Sequence, residues 1–339
     1  MRKRETWRLR RWWPFLLIVP AVLFFISFAL GRYPVAPAEL VRTLWQLVTG
    51  RTVEADPKMV TVLLNVRLPR VAVVLAVGAG MSMAGAAYQG MFRNPLVSPD
   101  ILGATAGASF GAALALLSGQ PASMVQLYAF VGGMTAVLAA TYVERTVKTN
   151  PVLALVLGGM LIQALFNAGL SIIKYLSDPE ETLPAIVFWL MGTFTDVKGR
   201  HILQVGVPLI IASILLFYNR QRLNVLTFSE EEARALGVNT KRVRRQVIAA
   251  GTLLTASSVS ICGQIGWVGL IIPHLARSVA GPDYRQLLPV SAILGSSFLL
   301  ICDTVCRNAF PVELPIGILT SVLGIPFFLI IFKRKAGSL

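Results

Sequence analysis

The stretch RLPRVAVVLAVGAGMSMAGAAYQGMFRNPLVSPDILG, residues 67–103, decides how the rest of the chain is read. It opens on two arginines, Arg67 and Arg70, and continues through a small-residue apolar run without a charged side chain until Arg93. That run is long enough to cross a ~30 Å hydrocarbon core as a helix. It ends at Asn94-Pro95-Leu96, where proline fixes the backbone and forbids helix continuation, and the chain then proceeds to Gly103. Charged and proline-broken span ends show where a membrane protein opens and grips.

Outward from this stretch the composition agrees. The 339 residues are 55% hydrophobic and 14% charged, with mean hydropathy +0.69, which leaves too little polar surface to coat a soluble body. Apolar runs recur almost to the end, with short polar breaks that hold no soluble domain of ordinary size. The runs lack period-2 alternation, and lipid cannot satisfy open backbone groups, so the spans are expected to be helices and the fold class all-α polytopic. Expected spans, about ten in number, are 13–31, 61–90, 98–118, 124–143, 151–176, 202–219, 243–266, 268–281, 287–306 and 314–332, with 184–193 as an additional helix that does not span.

The net charge of +15 would suggest nucleic acid in a soluble chain. Here the basic residues cluster at span ends: Arg2, Lys3, Arg4, Arg8, Arg10 and Arg11; Lys241, Arg242, Arg244 and Arg245; and Lys333, Arg334 and Lys335. The positive-inside rule makes these places, and so both termini, cytoplasmic. Arg32, Arg42, Arg51 and Lys58 on the opposite side strain that assignment. Ala36-Pro37-Ala38 resembles a signal-peptidase site, but proline there disfavours cleavage and removal would leave an odd number of crossings, so the first span is read as retained. Cys262, Cys302 and Cys306 lack nearby histidine or acidic partners and read as packed side chains, not a metal site.

Gly85, Pro95 and Gly103 are matched by Gly263, Pro273 and Gly281 at one constant offset of about 178 residues. On segments of opposite topology, such matches suggest an inverted internal repeat. Gly103, Gly107 and Gly111 place small residues one helical turn apart, either for close helix packing or for lining a pathway. In the longest polar break, Ser229 can cap a helix over Glu230–Val238. Glu232 completes an S-x-x-E box, Gly237 can stop the helix, and Ala233, Leu236 and Val238 are expected to form an apolar docking face.

These segments together, with Trp189-Leu190-Met191-Gly192-Thr193-Phe194, Gly263-Gln264-Ile265-Gly266-Trp267-Val268-Gly269-Leu270, Pro273-His274-Leu275-Ala276-Arg277, Gly281-Pro282-Asp283-Tyr284 and Glu313-Leu314-Pro315-Ile316-Gly317, resemble the FecCD-type permeases of ABC importers for ferric siderophores, haem and cobalamin. The resemblance runs from about residue 15 to 333. It implies a single permease domain over 1–339, with approximate halves 61–200 and 240–335 and a cytoplasmic coupling segment 220–242. It also implies a multi-pass protein of the cell (inner) membrane working as a homodimer, with two ABC ATPase subunits and an extracytoplasmic binding protein. The chain has no G-x-x-x-x-G-K-[ST] phosphate loop, so ATP and Mg belong to the partner ATPase; no catalytic, cofactor or metal site is expected in this chain.

By the same resemblance Arg67, Arg70 and Arg307 pair with carboxylates of the binding protein, with Asp303 and Glu313 flanking Arg307. Asn94, Pro95 and Leu96 form a cytoplasmic gate. Glu230, Glu231, Glu232, Ala233, Arg234, Leu236 and Gly237 contact the ATPase. His274 reads as a helix-end polar contact ahead of a haem or metal ligand, and His201 carries no constellation. Spans poor in ionisable groups argue against the main alternative, an ion-coupled secondary transporter, and no convergent acid, histidine or serine cluster supports a membrane enzyme. Among cargoes a ferric siderophore is the first choice, with haem, cobalamin and oxyanions such as molybdate as alternatives.

Overall fold

The computed structural model describes residues 16, 18–31, 36–49, 56–147 and 150–336, and every regular element among them is helical. The N-terminal basic cluster Arg2 to Arg11, Arg32, Arg51 and the side chains of Lys333, Arg334 and Lys335 lie outside the described residues.

After α1 (Ile18–Ala29) and the amphipathic α2 (Pro37–Val48), α3 (Pro57–Thr61), a π-helical segment Val62–Arg67 and α4 (Leu68–Met91) form one continuous rod. The π segment has a local cause: Pro69 offers no N–H to the preceding turn, so the ladder widens just before it. There follow α5 (Ala104–Leu117), α6 (Ala122–Thr146), α7 (Pro151–Leu176), α8 (Thr182–Met191), α9 (Gly199–Leu226), α10 (Glu230–Ala235), α11 (Thr240–Cys262), α12 (Val268–Ala280), α13 (Tyr284–Asn308) and α14 (Ile316–Ala336). Five of these rods are long and apolar enough to cross a membrane: Pro57–Met91, α6, α7, α9 and α13. The expected span 98–118 is shorter than read, because residues 92–103 are turn and α5 starts only after Gly103, which takes φ 82°.

At the centre of the bundle α4 packs on α9, α11, α12 and α13. Much of its length is buried, and Gly85 lets it meet the backbone of Gly269 in α12 where any side chain would overlap. The other central helix, α11, is rich in serine and threonine yet buried. Its hydroxyls donate to carbonyls of their own helix, Thr252 to Ile248 at 2.7 Å, Thr255 to Gly251 at 2.8 Å and Ser257 to Leu253 at 2.6 Å, so burial leaves these donors satisfied.

The proposed register of the internal repeat does not hold. Gly85 lies inside α4 whereas Gly263 caps the end of α11, Pro95 lies in a turn whereas Pro273 lies inside α12, and Gly103 precedes α5 whereas Gly281 follows α12. A different recurrence is present. The lengths of α4 to α7, 24, 14, 25 and 26 residues, are echoed by 23, 13, 25 and 21 residues in α11 to α14.

Candidate functional site

Candidate functional residues gather at two opposite poles of the bundle. At the first pole, where α4 begins and α13 ends, Arg67, Arg70 and Arg307 are only 4%, 6% and 8% exposed. The arginines are thus buried and not presented to solvent, as an exposed docking residue would be. Arg70 directs Nε and Nη2 to one oxygen of Asp303, each at 2.9 Å, and Nη1 to Glu313 at 2.8 Å. Arg307 pairs with the other oxygen of Asp303 at 3.1 Å, one helical turn away, and donates to the Ser27 hydroxyl at 2.7 Å. Arg67 donates to the Phe28 carbonyl. Glu313 also accepts from Thr195 at 3.0 Å. The network therefore ties α1, α4, α13, the loop before α14 and the loop before α9 into one rim. Asp303 and Glu313 do flank this cluster, but Glu313 serves Arg70 and not Arg307.

At the second pole, where α4 ends, the turn 94–96 is built as an Asx turn: Asn94 Oδ1 accepts from the Leu96 N–H at 2.9 Å and its carbonyl from the Val97 N–H at 3.3 Å. Asn94, Pro95 and Leu96 are exposed, and the preceding Arg93 takes a left-handed φ of 51°. His274 approaches this turn, its Nε2 2.8 Å from the Pro95 carbonyl. That is a polar contact, as expected of it, but one made from the middle of α12 and not from a helix end; the described residues hold no His, Cys, Asp or Glu cluster fit for a metal.

The same pole carries α10. The capping box is complete, with the Ser229 N–H donating to Glu232 at 2.8 Å and the Glu232 N–H to Ser229 Oγ at 3.2 Å. The helix stops earlier than read, at Ala235. Gly237 at φ 74° then closes a Schellman turn through Val238 N–H to the Ala233 carbonyl at 3.1 Å and Gly237 N–H to the Arg234 carbonyl at 2.9 Å. The expected apolar face is divided between interior and solvent: Ala233 is 1% exposed and points into the protein, while Leu236 is 61% exposed. Glu231, Arg234 and Gly237 are exposed with it, and Arg234 pairs with Glu230 at 3.0 Å. Partial burial disfavours ionisation of Glu230, but hydrogen bonds from Arg234 and Thr240 and the charge of Arg244 outweigh it and hold its carboxyl below the ordinary value. Glu232 is likewise held low, by the Ser229 N–H and hydroxyl, with help from the charge of Arg93.

Gly107 and Gly111 serve packing. A side chain on Gly107 would overlap the Gly132 backbone, and one on Gly111 the Tyr128 carbonyl, both in α6. His201 carries a contact the sequence did not disclose. It is buried at the start of α9, accepts the Lys198 N–H on Nδ1 at 2.9 Å and meets the Gln126 amide of α6 at 3.0 Å. The three cysteines are unpaired and buried, as expected.

A helical membrane rod assembly with a capped, displayed helix between two long helices matches known proteins over nearly its whole length. The FecCD transport family matches residues 17–334, and the chain belongs to that family. It is 39% identical to the molybdate import system permease protein MolB of Haemophilus influenzae, over 96% of this chain and 95% of that protein. It is also 39% identical to the cobalamin import system permease protein BtuC of Halobacterium salinarum, over 80% of this chain and 73% of that protein. A solved inward-facing structure of a metal-chelate type ABC transporter superposes with TM-score 0.85 at 37% identity, covering 94% of this chain and 97% of that one. The chain is thus an integral membrane transport subunit and not an enzyme, and its family implies ATPase subunits and a substrate-binding protein as partners.

Proposed function

We propose that this chain is the permease subunit through which a metal chelate, a ferric siderophore before haem or cobalamin, passes from the cell exterior or periplasm to the cytoplasm. ATP and Mg are bound by a separate ATPase pair, and two copies of the chain enclose the path. The observation that carries the reading is the family match from residue 17 to 334. A second cargo has one observation of its own in favour: a relative matched over 96% of this chain is a molybdate import permease.

The α10 pole is the cytoplasmic one in this reading, because exposed Lys241, Arg242 and Arg245 surround it, and it places both termini inside after ten crossings of a single domain. The long, short, long, long recurrence of α4–α7 in α11–α14 supports an inverted repeat, in place of the glycine and proline pairs. Leu236, with Glu231, Arg234 and Gly237, meets the ATPase. Glu230, Glu232 and Ala233 shape the helix and seat it. Asn94, Pro95 and Leu96 form the gate. The binding protein docks over the arginine pole. There Arg67, Arg70 and Arg307 fix the rim, and a partner carboxylate pairs with Arg70 or Arg307 by displacing Asp303 or Glu313.

The test is uptake into proteoliposomes holding the chain, its ATPase and its binding protein. ATP-dependent accumulation of a ferric siderophore supports the reading, and accumulation of molybdate instead moves the cargo to the second choice. Uptake that ignores ATP and follows an ion gradient overturns it in favour of a secondary carrier.

A further inference from the structure

The turn 92–103 is fastened to α12 as well as to its own chain neighbours. The Pro95 carbonyl accepts from His274 Nε2 at 2.8 Å, which fixes the proton on that nitrogen because a carbonyl can only accept. The Pro99 ring lies where a side chain on Gly269 would stand, and Gly269 in turn abuts Gly85 of α4. Between these two fastenings Pro273 offers no N–H to the Gly269 carbonyl, so the helix ladder is interrupted at the point where α12 could bend. Gln89, near the end of α4, donates to the Leu270 carbonyl at 3.2 Å and accepts from Arg277 at 2.6 Å.

At its other end α12 runs into Asp283 and Tyr284, and both are held by Asn224. Its amide donates to Asp283 Oδ1 at 2.7 Å and its oxygen accepts from the Tyr284 N–H at 2.9 Å. Asn224 stands in the last turn of α9, and the chain passes from there directly to Ser229 and α10. Contacts therefore lead from the α10 segment through Asn224 to the cap and first residue of α13, which Gly281-Pro282 join to the end of α12, and from α12 through His274 and Gly269 to the turn.

We infer that α12 is the lever that carries movement of the α10 segment to the 94–96 turn, with Asn224 as the positioning residue beyond its C-terminal end and His274 as the one at its midpoint. The inference rests on the reading of α10 as the ATPase contact and of the turn as the gate. A lever has two arrangements biased from both ends, and its signature is coupling between them.

The experiment is backbone hydrogen exchange of the peptide spanning residues 92–100, in the full permease–ATPase complex, with and without ATP and vanadate. In the unaltered complex the Leu96 and Val97 amides are expected to change protection with nucleotide. His274→Leu removes the donor to Pro95, so exchange there should quicken about fivefold, the effect of one lost hydrogen bond, and cease to respond to nucleotide. His274→Gln, which restores an N–H donor, should recover the response. Asn224→Ala should keep the resting protection and abolish the response, and the double variant with His274→Leu should respond no less than either alone. A nucleotide response that survives both single variants overturns the lever while leaving the importer reading intact. Absence of any nucleotide response in the unaltered complex, at any peptide, overturns the importer reading and the lever with it.

Discussion

The two poles spend similar side chains in opposite ways. At the arginine pole Arg70, Arg307, Asp303 and Glu313 are drawn from α4, α13 and the loop before α14 into a largely buried network. At the α10 pole Glu230, Glu232 and Arg234 are bonded to residues nearby in sequence, and Leu236 is left to solvent. Buried charges are costly to leave without a partner, so the first arrangement fixes relative helix positions. Exposed pairs contribute little, so the second stabilises only its own short helix and leaves a surface free for a partner. One pole is built to hold its shape and the other to be touched.

The contrast is broken or sharpened by substitution. Asp303→Ala removes the carboxylate that Arg70 and Arg307 share, leaving Arg70 only Glu313 and Arg307 no carboxylate, and should cost about 3–5 kcal/mol, seen as a large drop in the detergent melting temperature. A loss no greater than that of Glu230→Ala would erase the difference between the poles. Gly107→Leu should come next, at roughly 1–3 kcal/mol, because it overpacks the α5–α6 contact, and thermal unfolding again reports it. Ser229→Ala should remove about 1 kcal/mol, confined to α10 and visible in its amide exchange alone. Since the folded pKa values of Glu230 and Glu232 lie below the ordinary 4.5, their stabilisation of α10 is full above that pH. It should fade as pH falls through the lowered values, and protection of α10 that vanished on raising the pH would contradict the sign. Smallest of all, Leu236→Glu should leave the melting temperature within about 0.5 kcal/mol of the original while weakening ATPase association.

Local grammar was read well from the sequence. The span 151–176 coincides with α7, whose Asn150 cap bonds the Val152 N–H at 2.9 Å, and the Ser229–Glu232 box stands as written. Both depend on residues a few positions apart. The burial of Arg70 was not legible, because its partners Asp303 and Glu313 come from the far end of the chain and only packing brings them close. The opposite exposures of Ala233 and Leu236 were not legible either, because their spacing sets them near one side of the helix and only its packing decides which of them faces the protein. The repeat was sought in glycines and prolines, which answer to local turns, whereas the recurrence the structure does hold is one of helix length.

The central claim is that the α10 pole is the seat of an ATPase. The direct measurement is quantitative mass spectrometry of the tagged chain purified from its native membrane in mild detergent, alongside the Leu236→Glu variant. The account predicts an ABC ATPase in equal amount with the unaltered chain and much less with the variant. A chain that emerges alone, and remains alone after crosslinking, would contradict it.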